Sequence, residues 1–334
     1  MKEAMLWKGD GKEVSCFLCA HRCRIKEGDC GLCQVRLNSG GRLYSLVYAK
    51  LISRAIDPIE KKPLYHFMPG SRTYSIATAG CNFFCDFCQN WQISQVVHES
   101  GSVYGEEAVP EEIVGDAVAH KCESISYTYT EPTIFFELAY DTAKLGKESG
   151  LKNVFVTNGY QTPEAIEKMA EVIDAANVDL KSFSDKFYRE RCRARLAPVL
   201  KAIRMMHEKG IFIEVTTLIV PGENDGQDEI SRIVEFIASL SADIPWHVSR
   251  FHPQYKQTDK DWTPSETIFQ ALETGKKAGL KYVYAGNLPA GKYEHTYCPQ
   301  CGATVIERSG FYSITSGLRG NTCRSCGTRL PIVL

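Results

Sequence analysis

The chain has 334 residues, 44% hydrophobic and 24% charged, with a formal net charge of −1 and a pI of about 6.7. This composition suits a globular protein with a sizeable core and argues against a chain that coats nucleic acid or membrane by bulk electrostatics. The start, MKEAMLWKGDGKEV, lacks the apolar stretch of a secretory signal, and no run reaches membrane length, so a cytoplasmic protein with no membrane partner is expected. In that reducing compartment the 14 cysteines are expected to act as metal ligands or catalytic thiols.

Twelve of the cysteines fall into three groups, and the chain divides around them. Residues 1–45 form an expected N-terminal metal module with Cys16, Cys19, Cys23, Cys30 and Cys33. Four of these five have two readings. Cys16, Cys19, Cys30 and Cys33 make a double zinc knuckle that leaves Cys23 and His21 spare. Alternatively, Cys16, Cys19 and Cys23 with one later cysteine hold a second iron–sulfur cluster. Residues 46–72 read as a connector packing on the next domain, either an ordinary linker or a segment folded back over its mouth.

From 73 to 290, short segments rich in β-branched and aromatic residues alternate with helical patterns. The strand candidates are 73–80, 123–130, 152–158, 176–182, 211–220, 246–251 and 281–286. Between them, TPEAIEKMAEVIDAA offers Thr162 as N-cap, Pro163 at the first helical position, and apolar residues at Ile166, Met169, Ala170 and Ile173. DGQDEISRIVEFIASL repeats the pattern with Ile230, Ile233, Val234 and Ile237. Such alternation implies right-handed βαβ units, so the fold class is α/β, a partial or complete TIM-type (β/α) barrel flanked by cysteine-rich modules. A doubly wound open sheet is the alternative, but no GxGxxG follows the first strand.

Residues 291–334 hold CPQCG and CRSCG, two C-x2-C turns each followed by glycine. Cys298, Cys301, Cys323 and Cys326 read as a zinc ribbon, with rubredoxin-like iron as the other option. So small a module has few apolar residues, and its metal would supply folding free energy on the order of 10 kcal/mol. Arg22, Arg24 and Lys26 in the first module and Arg319, Arg324 and Arg329 in the last read as solvated surface, or as a grip on RNA or an acidic partner. Cys122 and Cys192 stand alone and are expected to be small buried hydrophobes.

The remaining group, in GCNFFCDFCQNW, follows the first barrel strand, where such a fold carries its chemistry. Cys81, Cys85 and Cys88 could hold zinc with a water, or three corners of a 4Fe–4S cube with one iron left free. The stretch has no histidine, and Asp86 is its single acid, which fits hydrolytic zinc poorly. Phe87 offers a flat apolar face, and Phe83 and Phe84 can shield a cube from water.

C-x3-C-x2-C with an aromatic before the third cysteine resembles the signature of the radical S-adenosylmethionine (radical SAM) superfamily. The resemblance implies that the open iron binds the amine and carboxylate of S-adenosylmethionine, whose reductive cleavage releases a hydrogen-abstracting 5′-deoxyadenosyl radical. Further motifs follow in order. Glu131 in YTYTEPT stands where the family has a GGE-type stretch touching the methionyl amine, and only the acid carries over. Thr157, Asn158 and Gly159 in VTNGY resemble the TNG element of glycyl-radical activating enzymes, with Val156 where that family has an acid. Asp179 and Lys181 in VDLKS resemble its DLK element, implying a lysine on the cofactor carboxylate and an acid on its amine or ribose. LIVPGEND resembles the turn after the fifth strand, and His252 falls at a ribose-contacting position.

More closely, CFLCAHRCRIKEGDCGLCQVR, GRLYSLVYAKLISRAIDPIEKKPLYHFMPGS and TYSIATAGCNFFCDFCQNWQISQ resemble the radical SAM member of the AmmeMemoRadiSam system, a relative of pyruvate formate-lyase activating enzyme. That resemblance implies the system's two partner protein families and a reductant of the flavodoxin or ferredoxin type. The leading expectation is an oxidoreductase acting on a macromolecule, protein or RNA. Against it stand the same chemistry on a small molecule, a zinc-ribbon nucleic-acid-binding protein, and an iron–sulfur electron carrier, which would want four thiols at the central group.

Overall fold

The computed structural model describes residues 1–9 and 11–334. Its central sheet has eight strands: β1 (Ser53–Pro58), β2 (Arg72–Ala77), β3 (Ser124–Tyr127), β4 (Lys152–Thr157), β5 (Ala175–Asp179), β6 (Phe212–Ile219), β7 (Trp246–Arg250) and β8 (Val283–Gly286). They lie in sequence order across the sheet. Strands β2 to β8 are parallel and coincide with the seven segments expected from their β-branched and aromatic content. Strand β1 comes from the connector and pairs antiparallel with β2. Among the described residues no ladder pairs β1 with β8.

One helix of seven residues or more follows each of the strands from β2 to β7: α1 (Pro110–Ala119), α2 (Phe136–Glu148), α3 (Pro163–Met169), α4 (Leu196–Glu208), α5 (Gln227–Leu240) and α6 (Ser265–Lys277). Each crossover buries an apolar stripe on the sheet, as parallel pairing requires. In α3 the Thr162 hydroxyl accepts from the Ala165 N–H at 3.2 Å, Pro163 opens the helix, and Ala165, Ile166 and Met169 are buried. The helix stops at Met169, shorter than its apolar periodicity suggested, and Ile173 closes back on the Met169 carbonyl in a turn. Among the described residues, no helix is long and apolar enough to cross a membrane.

The inner face of the sheet is polar one layer below the strands' C-terminal ends. Thr216 lines a cavity at those ends, and Glu214, two residues earlier on β6, shares its face. Glu214 is fully buried and accepts from the His66 backbone N–H at 2.7 Å, and its other oxygen lies 2.6 Å from His247 Nε2. His66 Nε2 lies 2.6 Å from the Tyr284 hydroxyl, which lies 2.9 Å from Thr296 Oγ1. Arg308 donates to Thr296 Oγ1 at 2.7 Å and to the Tyr65 carbonyl at 2.7 Å. Asn177 on β5 donates to the Pro63 carbonyl at 2.8 Å. Connector residues around 63–68 therefore run beneath the cavity as its floor, at the end of the sheet opposite the expected mouth.

The C-terminal segment closes this floor from below. Its small core comprises Cys298, Val305, Ile306, Leu318, Cys323, Leu330 and Ile332. Val333 donates to the His66 carbonyl at 2.8 Å and accepts from the Met68 N–H at 2.7 Å. The N-terminal module sits elsewhere, against the β3 and β4 loops. Ala20 donates to the Tyr160 carbonyl at 2.8 Å, and Arg36 forms a buried ion pair with Glu137 of α2 at 2.9 Å. Arg22 and Arg24 are taken up by Glu164 and Glu13.

Burial pushes the His66 imidazole down from 6.5 to about 4, and the neighbouring Glu214 carboxylate opposes that shift only in part. His66 is thus neutral in the fold and binds a proton more readily once unfolded. The stability it contributes is present above pH 6.5 and lost as the pH falls towards 4. At about 1.4 kcal/mol per pH unit the loss amounts to about 3 kcal/mol. Glu214, which burial would raise but His247 and His66 hold low, acts in the same direction at lower pH. Denaturant unfolding at pH 7, 5.5 and 4.5 should show this slope, and His66→Gln should flatten it. Equal slopes in the two proteins would remove His66 from the account.

Candidate active site

Strand β2 ends at Ala77, and the chain enters the loop that carries Cys81, Cys85 and Cys88. Two neighbouring segments hold this loop rigid. Phe84 and Asp86 donate their N–H groups to the carbonyls of Cys192 and Arg191, at 3.1 and 3.3 Å. Asp86 accepts from Arg191 at 3.1 Å and from Gln257 at 2.9 Å, so the loop's acid is a strut. Phe83 is buried edge-on against Tyr160, and Phe84 stacks on His98 rather than over the thiols.

All three cysteines line one cavity at the C-terminal ends of the parallel strands, where βα units gather their reactive groups. Phe87, Glu131, Thr157, Asn158, Asp179 and Lys181 line the same cavity. Burial pushes the Cys81 and Cys88 thiols up. Cys85 goes the other way, held down first by a hydrogen bond from Cys192 and then, against burial, by the Lys181 charge. Cys192 is buried, as expected of a small hydrophobe, yet it also sits behind Cys85 and is not on the cavity wall. Cys122 is simply buried.

Glu131 is fully buried, and its carboxylate is heavily used by the protein itself. It accepts from Thr133 N–H at 3.0 Å, Thr157 Oγ1 at 2.8 Å and Asn158 N–H at 2.8 Å. Burial raises its pKa, and these donors offset the rise in part. The acid thus ties the β3 loop to the β4 loop. Asn158, in turn, donates to the Asn82 side chain at 2.7 Å, next to Cys81.

Lys181 is paired with Asp179 at 2.8 Å. Burial alone would lower its pKa, but Asp179 and Cys85 outweigh that and hold the ammonium firmly charged. The backbone beneath is braced by Asn224 of LIVPGEND, which donates to the Lys181 carbonyl at 2.6 Å. Two residues named from sequence stand off the wall. Gly159 has φ +69°, and a Cβ there would approach Val178 Cγ1 to 2.8 Å, so close packing explains the glycine. His252 reaches the site through Gln89, at 3.2 Å from its Nδ1, and stacks beside Trp262.

Sequence reasoning missed Thr216, Ser249, Lys61 and Pro63, which also line the cavity. The signal available was weak: small polar residues inside otherwise apolar strands. Thr216 Oγ1 is buried without a partner, a hydrogen-bonding group left over for something polar in the cavity. Three thiols, a held ammonium, a carboxylate and a spare hydroxyl together fit an iron–sulfur cluster beside a ligand that carries an amine, a carboxylate and hydroxyls.

The other two cysteine groups differ in spacing. Among the described residues, Cys298, Cys301, Cys323 and Cys326 form the one group whose ligand atoms all lie within 4.8 Å of one another, with sulfur pairs at 3.6 and 3.7 Å. Gly302 and Gly327, at φ +72° and +77°, let each turn close back on its first cysteine's carbonyl. In the N-terminal module, Cys16, Cys19, Cys23 and Cys33 face one cavity. Cys30, the fourth cysteine of the double-knuckle reading, is not among the residues lining that cavity and has Asp29 as its charged neighbour.

A profile of the radical SAM superfamily matches residues 75–237. The uncharacterized protein MJ0808 of Methanocaldococcus jannaschii is 46% identical over the whole of both chains. A pyruvate formate-lyase-activating enzyme of Listeria monocytogenes is 23% identical over 65% of this chain and 84% of its own. Among solved structures, a radical SAM methyltransferase from Sphaerobacter thermophilus superposes with a TM-score of 0.52 at 16% identity, covering 66% of this chain and 67% of that one. The chain carries a radical SAM domain homologous to pyruvate formate-lyase activating enzymes and belongs to the radical SAM superfamily.

Proposed function

We propose that the chain binds a 4Fe–4S cluster on Cys81, Cys85 and Cys88 with S-adenosylmethionine beside it, and removes a hydrogen atom from a protein, peptide or other macromolecular substrate. The observation that carries this reading is the wall of the cavity at the strand ends: three cysteines and, among the described residues, no fourth, together with a charged lysine paired with an acid. Bound there and reduced by one electron from a flavodoxin- or ferredoxin-type protein, the cluster and cofactor supply a 5′-deoxyadenosyl radical.

The chain's own residues then have definable tasks. Lys181 neutralises a ligand carboxylate, and Asp179 accepts from an amine or a ribose hydroxyl. Glu131 acts by holding Thr157 and Asn158 in place, and Asn158 steadies the first cysteine through Asn82. Phe87, buried against Phe187, presents an apolar face, and Phe83 keeps water from the thiols. His252 orients Gln89 at the cavity.

A macromolecular substrate is supported by the relative from Listeria monocytogenes, whose name gives a protein as its target. The nearer assignment, to the AmmeMemoRadiSam system and its two partner families, rests on the sequence stretches quoted above. We read the C-terminal thiols as structural zinc, because a Zn–S bond of about 2.3 Å sets tetrahedral sulfur pairs about 3.8 Å apart. The cytoplasm is the reducing compartment these thiols require.

One observation favours a second reading. Cys192 lies against Cys85, so a saturated four-cysteine electron carrier is the competitor. Anaerobically reconstituted protein given S-adenosylmethionine and a strong reductant should form 5′-deoxyadenosine. Cys85→Ala should abolish that product while leaving bound zinc unchanged, whereas Cys192→Ala should retain both iron and product. Loss of iron in Cys192→Ala, with no product from the parent, would establish the carrier instead. Lys181→Met should weaken S-adenosylmethionine binding about tenfold or more by equilibrium dialysis, the scale of one charge-assisted hydrogen bond. Unchanged affinity would remove the lysine from the carboxylate.

A further inference from the structure

We propose that Cys16, Cys19, Cys23 and Cys33 hold a second 4Fe–4S cluster, saturated by four thiolates, which passes single electrons to the central site. Its role rests on the radical SAM reading; its ligand set does not. The four cysteines line one cavity together with Leu18, Ile25 and Ile134, and Cys16, Cys23 and Cys33 are all close enough to act on the Cys19 thiol. Each thiol but Cys16 has a backbone N–H beside it: His21 for Cys19, Leu32 for Cys23 and Val35 for Cys33. Such donors stabilise thiolates and lie ready before any metal arrives.

Two features separate this site from the C-terminal one. The C-terminal sulfurs have already closed to the spacing of a tetrahedral ion, all within 4.8 Å. The N-terminal four do not meet that spacing although they share a cavity, as suits a core of several atoms between the ligands. The second feature is Arg36, which lines the cavity and is only 2% exposed. Its Nη2 donates to the Met5 carbonyl at 2.6 Å and to Glu137 at 2.9 Å, but its Nε and Nη1 have no partner among the described residues. A buried guanidinium with two unpartnered nitrogens, three N–H donors in all, is costly unless something anionic with acceptors stands before it. A four-thiolate cluster with sulfide corners supplies both.

The site also touches the central loop. Between Cys19 and Cys23, His21 places Nε2 2.8 Å from the carbonyl oxygen of Asn82, the residue after Cys81. Ile134, on the wall of the N-terminal cavity, lies 3.1 Å from where a Cβ on Gly80 would stand. One electron, taken from a ferredoxin-type donor, leaves the N-terminal cluster oxidised and the central one reduced; no bond is made or broken.

The test uses the full chain with Cys81, Cys85 and Cys88 replaced by alanine, so that the central cluster is gone. After anaerobic reconstitution it should retain about four irons and four sulfides, show a reduced-cluster EPR signal, and carry one zinc from the C-terminus. Adding Cys30→Ala should change nothing, whereas adding Cys23→Ser should remove iron and sulfide together. Two zincs with no sulfide, or loss of iron on Cys30→Ala, would overturn the site even where the parent still makes 5′-deoxyadenosine. In the reduced parent, the two clusters should broaden each other's EPR signals; a plain sum of isolated spectra would overturn the relay. Because the triple variant is assayed by composition with all N-terminal cysteines intact, misfolding of Cys23→Ser leaves the main result readable.

Discussion

A fully buried carboxylate governs the way this molecule is closed. Glu214 sits on the inner face of the parallel sheet, a layer that barrel-type folds fill with apolar side chains. An acid there is tolerable only with donors on its oxygens, and His66 and His247 provide them. His66 belongs to the connector, so satisfying the acid draws that segment under the sheet. Tyr284, Thr296 and Arg308 then bring the C-terminal module to the same place. The floor, the edge of the sheet and the last module are parts of one polar network.

Eleven of the fourteen cysteines lie in three sites whose chemistry is set by position, since the side chain is the same in each. At the C-terminus two glycine-closed turns press four sulfurs together. At the centre a braced loop spreads three along a cavity wall and leaves the rest of that wall to Lys181, Asp179 and Glu131. In the first module four line one cavity beside a buried cation. Cys192 is of a different kind, a neighbour that modulates Cys85 from behind.

Much of this was legible in the residues themselves. The seven parallel strands followed from local β-branched and aromatic content, and the placing of the three-cysteine loop followed from strand–helix alternation. What escaped notice depends on long-range contacts. Nothing near Cys192 announces Cys85, 107 positions earlier by residue number. Cys30 has the spacing of a knuckle with Cys33, but pairing of the Cys30 and Leu37 backbones turns it away from the cavity that Cys23 enters. Strand β1 and the floor were hidden because the connector's pattern is irregular and its partners, Ala77 through Arg72 and Glu214, lie in other elements. Glu131 illustrates a subtler case, a correctly chosen acid whose hydrogen bonds show it spent largely on the scaffold.

The floor has a kinetic consequence. His66 meets Pro331 across 265 positions, and Arg308 meets Tyr65 across 243. Loops of that length close late, because their entropy is lost before any contact rewards it. The sheet can assemble strand by strand from neighbouring segments, but the underside stays unsealed until the far end of the chain returns. The last step of folding is therefore the one that shuts water out beneath the chemistry.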